Sequence, residues 1–167
     1  MNPLELIGNT PLVSLQKMRP SGAGEIHAKL ECMNPGGSVK DRPALNMIEV
    51  GEKSGELTPD KTILEATSGN TGIGLAMVCA AKGYRCQLIM PESASIERRQ
   101  IMRAYGAEII LTPAPRSTDG AIEKAYSLAR EYPDRYFLTD QFNNPANWQA
   151  HYHGTAPEIW EQTGGRV

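Results

Sequence analysis

Cysteine, long apolar runs and a surplus of either charge are all scarce here, and each scarcity removes a class of function. The three cysteines, Cys32, Cys79 and Cys86, are odd in number and show no C-x-x-C spacing, which argues against a disulfide framework and against a zinc site. They are expected to be reduced, with Cys79 and Cys86 packed in the core. The longest apolar run, Ile73 to Ala81, is nine residues with a glycine inside it, far below the roughly 20 needed to cross a bilayer. The N-terminus, Met1-Asn-Pro-Leu-Glu-Leu-Ile, lacks a basic segment followed by an apolar run and a cleavage site, so the expectation is a cytoplasmic chain with no membrane partner. With 17 basic against 19 acidic side chains the net charge is −2, and no basic block supplies the footprint of a nucleic-acid binder. A small molecule or another subunit, as in a homodimer, is the partner expected.

What is present is ordinary globular composition, 40% hydrophobic and 22% charged over 167 residues. That length suffices for one self-standing core and hardly for two. From Thr62 onward, short Ile- and Leu-rich runs alternate with longer segments of helical period. Strands are predicted over 62–66, 86–90, 108–111 and 136–138, with helices over 71–82, 95–105 and 119–131 ending near Gly83, Gly106 and Pro133. Such alternation implies an α/β fold, an open parallel four-stranded sheet flanked by helices. The first sixty residues differ, with strands expected over 11–15 and 25–30 and a helix from about 42 to 54. In the tail, Thr155-Ala-Pro-Glu158 reads as a capping box that opens a helix through Gln162, with Gly164-Gly165 as its stop.

Two segments could carry chemistry. In Asn34-Pro-Gly-Gly-Ser-Val-Lys-Asp-Arg42, the bland reading is a glycine turn, an S-x-x-D cap by Ser38 and Asp41, and a solvated Lys40. The functional reading starts from the helix that Pro43 forces to begin near Asp41 or Arg42. Lys40 then sits at a helix N-terminus, where the positive end of the dipole disfavours an ammonium ion and favours the nucleophilic amine that Schiff-base chemistry needs.

The second segment, Glu65-Ala-Thr-Ser-Gly-Asn-Thr-Gly-Ile-Gly74, follows the first parallel strand and enters a helix. Ligands of open α/β sheets bind at that edge, and bare N–H groups at a helix start accept anions. A tight structural turn is the competing reading. Nucleotide readings fail on spacing, because Gly69, Gly72 and Gly74 give G-x-x-G-x-G and no G-K-[ST] follows. A carboxylate fits better. Asp140-Gln-Phe-Asn-Asn-Pro145 lies on the same edge but is also a plain turn signal. His151 and His153 are two apart, which puts them on different helix faces and argues against a shared metal.

Taken together, Ile7-Gly-Asn-Thr-Pro-Leu12, Gly37-Ser-Val-Lys-Asp-Arg42, Thr67-Ser-Gly-Asn-Thr-Gly72 and Asp140-Gln-Phe142 resemble the cysteine synthase family of pyridoxal-phosphate enzymes in order and spacing. Glu97-Arg-Arg99, Ala104-Tyr-Gly-Ala-Glu108 and Pro157-Glu-Ile-Trp160 look most like the B-type members. The resemblance implies that pyridoxal 5′-phosphate is the cofactor and that Lys40 holds it and later acts as base at the substrate Cα. It further implies that Asn70 contacts the cofactor's 3′ oxygen, that Thr67, Ser68, Gly69 and Thr71 grip the substrate carboxylate, and that Gln141 adds a further carboxylate contact. The implied reaction is β-replacement of O-acetylserine by a sulfur nucleophile, giving cysteine and acetate.

The same resemblance implies a division of the chain. Residues 35–144 would form the small α/β domain, while 1–34 and 145–167 would belong to a second, incomplete α/β domain. It implies roughly as many residues again beyond Val167, including a Gly/Thr-rich loop for the cofactor phosphate that has no match within the 167. A catalytically inactive fragment, acting as a binding or assembly module, is the alternative expectation.

Overall fold

Alternation along the Ile- and Leu-rich runs decides the layers of this fold. The computed structural model describes residues 2–167. It opens with a small antiparallel ribbon of β1 (Leu12–Ser14) and β2 (His27–Lys29), paired in register Val13↔Ala28. These strands are shorter than the 11–15 and 25–30 expected. The ladder continues at each end as single hydrogen bonds, Leu15 N–H to Ile26 O and Leu30 N–H to Pro11 O. Helix α1 (Asp41–Ser54) follows, burying Ala44, Met47, Ile48 and Gly51 at helical spacing.

The main sheet then forms from β3 (Thr62–Ala66), β4 (Arg85–Pro91), β5 (Glu108–Thr112) and β6 (Tyr136–Leu138), all parallel, in spatial order β5-β4-β3-β6. Between them run α2 (Asn70–Lys82), α3 (Ile96–Ala104) and α4 (Ser117–Glu131). Period-two alternation divides the side chains between two cores. Ile63, Leu88, Met90 and Phe137 pack with α1, α2 and Met102 of α3, whereas Leu64, Ala66, Ile89 and Tyr136 pack beneath Ala121 and Ala125 of α4. All of β3 is buried, as expected of a strand with helices over both sheet faces. Each large apolar side chain so buried contributes about 1.5–3 kcal/mol.

After β6 come α5 (Pro145–Ala150) and α6 (Ala156–Gln162). Helix α5 is an addition to the sequence expectation, since Asn144-Pro145 was read as a turn. Asn144 is in fact its N-cap, accepting from Ala146 N–H at 2.9 Å, with Pro145 in the first turn. The expected capping box at Thr155 does not form. A π turn over His151–Thr155 joins α5 to α6, so Thr155 has helical dihedrals and its hydroxyl meets His151 Nδ1 at 2.9 Å. The carboxylate of Glu158 is drawn instead to Arg42 and Lys29, where charge-assisted hydrogen bonds outweigh a backbone cap. The S-x-x-D cap at the start of α1 also departs from expectation. Ser38 Oγ accepts from Lys40 N–H at 3.1 Å, and Asp41 reaches back past it to Gly36 N–H at 2.6 Å.

Candidate active site

The order β5-β4-β3-β6 reverses the direction of winding at β3, because the chain moves outward through β4 and β5 and then returns to pair β6 on the other side of β3. Loops leaving the carboxyl ends of β3 and β6 diverge there, and the crevice between them is where open α/β sheets bind ligands. A cleft of about 350 Å³ lies at that point, lined by Val39, Lys40, Ala66 to Thr71, Thr118, Gln141 and Phe142. The structure thus brings together every sequence-predicted site residue: Lys40, Thr67, Ser68, Gly69, Asn70, Thr71 and Gln141.

Three elements deliver these groups. Gly37 has φ +83, a left-handed turn that favours glycine and lets the chain double back into α1. Lys40 is the residue immediately before α1. Helix α2 packs so close to this corner that a Cβ on Gly74 would stand 3.1 Å from the Lys40 carbonyl oxygen. That contact sets the lysine beside the loop after β3. Lys40 takes part in none of the ion pairs among the described residues, so its amine has no carboxylate counter-ion.

The β3–α2 loop leaves several backbone donors free at the start of α2. Thr67 and Thr71 are buried while Ser68 and Gly69 are half-buried. Among the described residues, the N–H groups of Ser68, Asn70 and Thr71 have no acceptor, whereas that of Gly72 bonds Gly69 O. Unpaired donors at the positive end of α2 suit a carboxylate. A Cβ placed on Gly69 would meet nothing within 4 Å, so the loop opens into the cleft. From α3, Arg98 reaches the Ser68 carbonyl at 3.3 Å and ties that helix to the loop.

Across the cleft Gln141 is pinned by its backbone. Its N–H donates to Glu65 Oε2 at 3.0 Å and its carbonyl accepts from Asn147 Nδ2 at 2.7 Å. Asp140 before it has φ +48 and accepts from the Tyr126 hydroxyl at 2.7 Å.

Behind Lys40 lies a polar network that sequence reading missed. The Arg42 guanidinium, 6% exposed, grips Glu31 at 2.8 and 2.9 Å and Glu158 at 2.6 and 2.7 Å. Lys29 joins at 2.7 Å from Glu158. Burial alone would raise Glu158, yet hydrogen bonds from Arg42, Lys29 and the Asn9 N–H pull it from 4.5 down to about 2. The same guanidinium helps hold Glu31 below its ordinary value against the opposing effect of burial. His151, on the π turn, is lowered by burial and by the charges of Lys40 and Arg42. Arg42 was visible only as part of a motif, and nothing local in the sequence announces its partners. Glu65 was likewise visible only as the first residue of a motif and was given no role, although a carboxylate in an apolar run is itself a signal.

The donor set fits pyridoxal phosphate at the carbonyl and the ring: an unpaired primary amine on Lys40 and a side-chain amide on Asn70 share one cleft. Among the described residues no group of three or more His, Cys, Asp or Glu could hold a metal ion, and no helix is long and apolar enough to cross a membrane.

Comparison with known proteins gives the same direction. The family model described as pyridoxal-phosphate dependent enzyme matches residues 4–167. Cysteine synthase B of Escherichia coli (strain K12) is 55% identical over 163 residues, which are 98% of this chain and 53% of that protein. A crystal structure of cysteine synthase from Entamoeba histolytica superposes with a TM-score of 0.93 at 46% identity, covering 99% of this chain and 50% of that one. A hydrogen sulfide-producing enzyme from Fusobacterium nucleatum superposes at 0.91 with 49% identity, covering 99% and 55%. The chain spans about half the length of the curated relatives it matches.

Proposed function

The chain belongs to the pyridoxal-phosphate dependent enzymes, and from that premise we propose that it carries the lysine and carboxylate-loop part of a cysteine synthase. The reaction proposed is β-replacement of O-acetylserine by a sulfur nucleophile, giving cysteine and acetate. One observation carries the reading. Lys40 lines the same cleft as Ser68, Asn70 and Thr71, whose N–H groups are unpaired, which is what an α-amino acid held by its carboxylate needs beside a base. When bound, pyridoxal phosphate supplies an electron sink for the pair left at Cα.

Lys40 would hold the cofactor through its amine and, once displaced, take the Cα proton. Asn70 would donate to the oxygen on the cofactor ring. Thr67, Ser68, Gly69 and Thr71 would bind and orient the substrate carboxylate, with Gln141 adding a donor from the β6 side. Arg98, bonded to Ser68 O, supports reading the loop and α3 as one moving piece that closes over the substrate and excludes water.

Domain roles follow the same proposal. The Arg42 network joins Thr10 and Glu31 to Glu158, which supports grouping residues 1–34 with 145–167 as one unit beside the small domain of 35–144. Trp148 and Tyr152, edge to face at 6.1 Å, stand 57% and 65% exposed after β6, and Trp160 beyond them 58%, exposed apolar surface of the kind that a homodimer would cover.

Adding cofactor to the purified chain is expected to produce a visible absorbance band that Lys40→Ala abolishes. A band unchanged by that substitution would overturn the role of Lys40. A second reading, a module that binds without turning over, draws on the half-length coverage of the relatives. Cysteine formation from O-acetylserine and sulfide by this chain alone would exclude it.

A further inference from the structure

Glu65 is 2% exposed in the middle of the sheet, where an ionised carboxylate is costly unless its oxygens are satisfied. They are. Oε2 accepts from the Thr139 hydroxyl at 2.5 Å and from Gln141 N–H at 3.0 Å, while Oε1 accepts from Ala66 N–H at 3.0 Å and from Gln141 Nε2 at 3.4 Å. Gln141 Nε2 also donates to the Ala66 carbonyl at 3.1 Å. Joining β6 to β3 does not require this carboxylate, because the strands already pair through Thr62–Leu64 and Thr139 N–H already bonds Leu64 O.

The polarity of the contact is informative. Both atoms facing the Gln141 amide accept, since Glu65 Oε1 already takes the Ala66 N–H and the Ala66 carbonyl has no proton to give, so the NH2 end of that amide fits against them. The amide nitrogen stands 3.1 Å from the Ala66 carbonyl oxygen and 3.4 Å from Glu65 Oε1, the second beyond the usual range for a good N–H···O bond. The loosely held hydrogen is the one a ligand carboxylate in the cleft can take. Burial is also the largest influence on Glu65 itself, raising it above an ordinary carboxylate against the pull of Thr139, Gln141 and Ala66.

We infer that Glu65 is a positioning residue for an amino-acid carboxylate: Oε2 holds the Gln141 backbone N–H, and Oε1 keeps the amide nitrogen at the end of β3 until a carboxylate held by the Thr67–Thr71 loop takes over the hydrogen that Oε1 holds loosely. This rests on the reading of that loop as a carboxylate site. Glu65 itself touches no ligand.

The test is nuclear magnetic resonance on the isotope-labelled 167-residue chain, with O-acetylserine as probe and its methyl ester as the control without a carboxylate. In the wild-type protein, the Thr67–Thr71 amides and the Gln141 side-chain NH2 pair should shift saturably with the acid and not with the ester. Glu65→Gln should displace the NH2 pair before any ligand is added and raise the dissociation constant at least tenfold, with Glu65→Asp intermediate. An unchanged NH2 pair and dissociation constant in Glu65→Gln, with loop amides still responding, would overturn the inference. Failure of the underlying reading looks different: no loop amide moves in the wild-type protein, and the inference falls with it. Should Glu65→Gln not fold, the wild-type protein carries the test alone. The Glu65 carboxyl carbon and the Gln141 NH2 pair must then titrate together and respond together to the acid, and independent behaviour overturns the inference.

Discussion

Asp41 and Lys40 are adjacent in sequence but differ in their relation to water. Lys40 opens into the cleft, whereas Asp41 is fully buried, with Oδ2 on the Gly36 N–H and Oδ1 without a partner. Burial dominates, raising its pKa from 3.8 to about 6. A carboxyl that binds its proton more tightly folded than unfolded lowers stability as pH rises between those values, and the loss persists above the upper one. Asp41→Asn keeps an acceptor for Gly36 and removes the charge. It should therefore be more stable than wild type at pH 7–8, by roughly 1–3 kcal/mol, with the advantage vanishing below about pH 4. Urea midpoints measured across that range check it; an offset independent of pH would exclude burial of the charge as the cause.

Among the elements, those built from local pattern were legible in the sequence and those built from distant contacts were not. Strands β3 and β6 fall on the predicted 62–66 and 136–138, and β4 and β5 differ by single residues, because buried Ile, Leu and Met runs between glycine-ended helices have few alternatives. Lys40 and the Thr67–Thr71 loop were legible for a similar reason: each is a short contiguous motif at the end of an element. Glu65 and Arg42 were not, since their partners lie 74 and 116 residues away, and pairing across such spans is set by topology. Helix α5 was missed although Asn144-Pro145 is a good N-cap signal, because Asn-Asn-Pro serves turns equally well. Asn144 both caps α5 and donates to Thr139 O at 2.8 Å. Asn144→Ala should cost about 0.5–2 kcal/mol, measured as a lower urea midpoint with unchanged slope; an unaltered midpoint would show that α5 stands without its cap.

For the whole molecule, the Arg42 network decides how the terminal segments are held. Glu158, depressed to about 2 from 4.5, contributes stability that is present above the higher value and lost as pH falls toward the lower one. Acidification should release α6 and the β1–β2 ribbon before the sheet opens, seen as early loss of hydrogen-exchange protection in those segments alone. Glu158→Gln should produce the same local loss at neutral pH, at a cost of about 3 kcal/mol, and protection equal to wild type would count against the network. The strand order also has a consequence in time. Thr62 pairs with Tyr136 only after the chain has passed through β4 and β5, so a nascent polypeptide extruded through Thr112 holds three adjacent strands and one wall of the crevice. The opposite wall, with Gln141, emerges about thirty residues later, which at typical synthesis rates of roughly 5–20 residues per second is a delay of about 1.5 to 6 seconds. During that interval the loop after β3 is already exposed on a partial sheet, and the crevice has only one of its two walls until the last strand arrives.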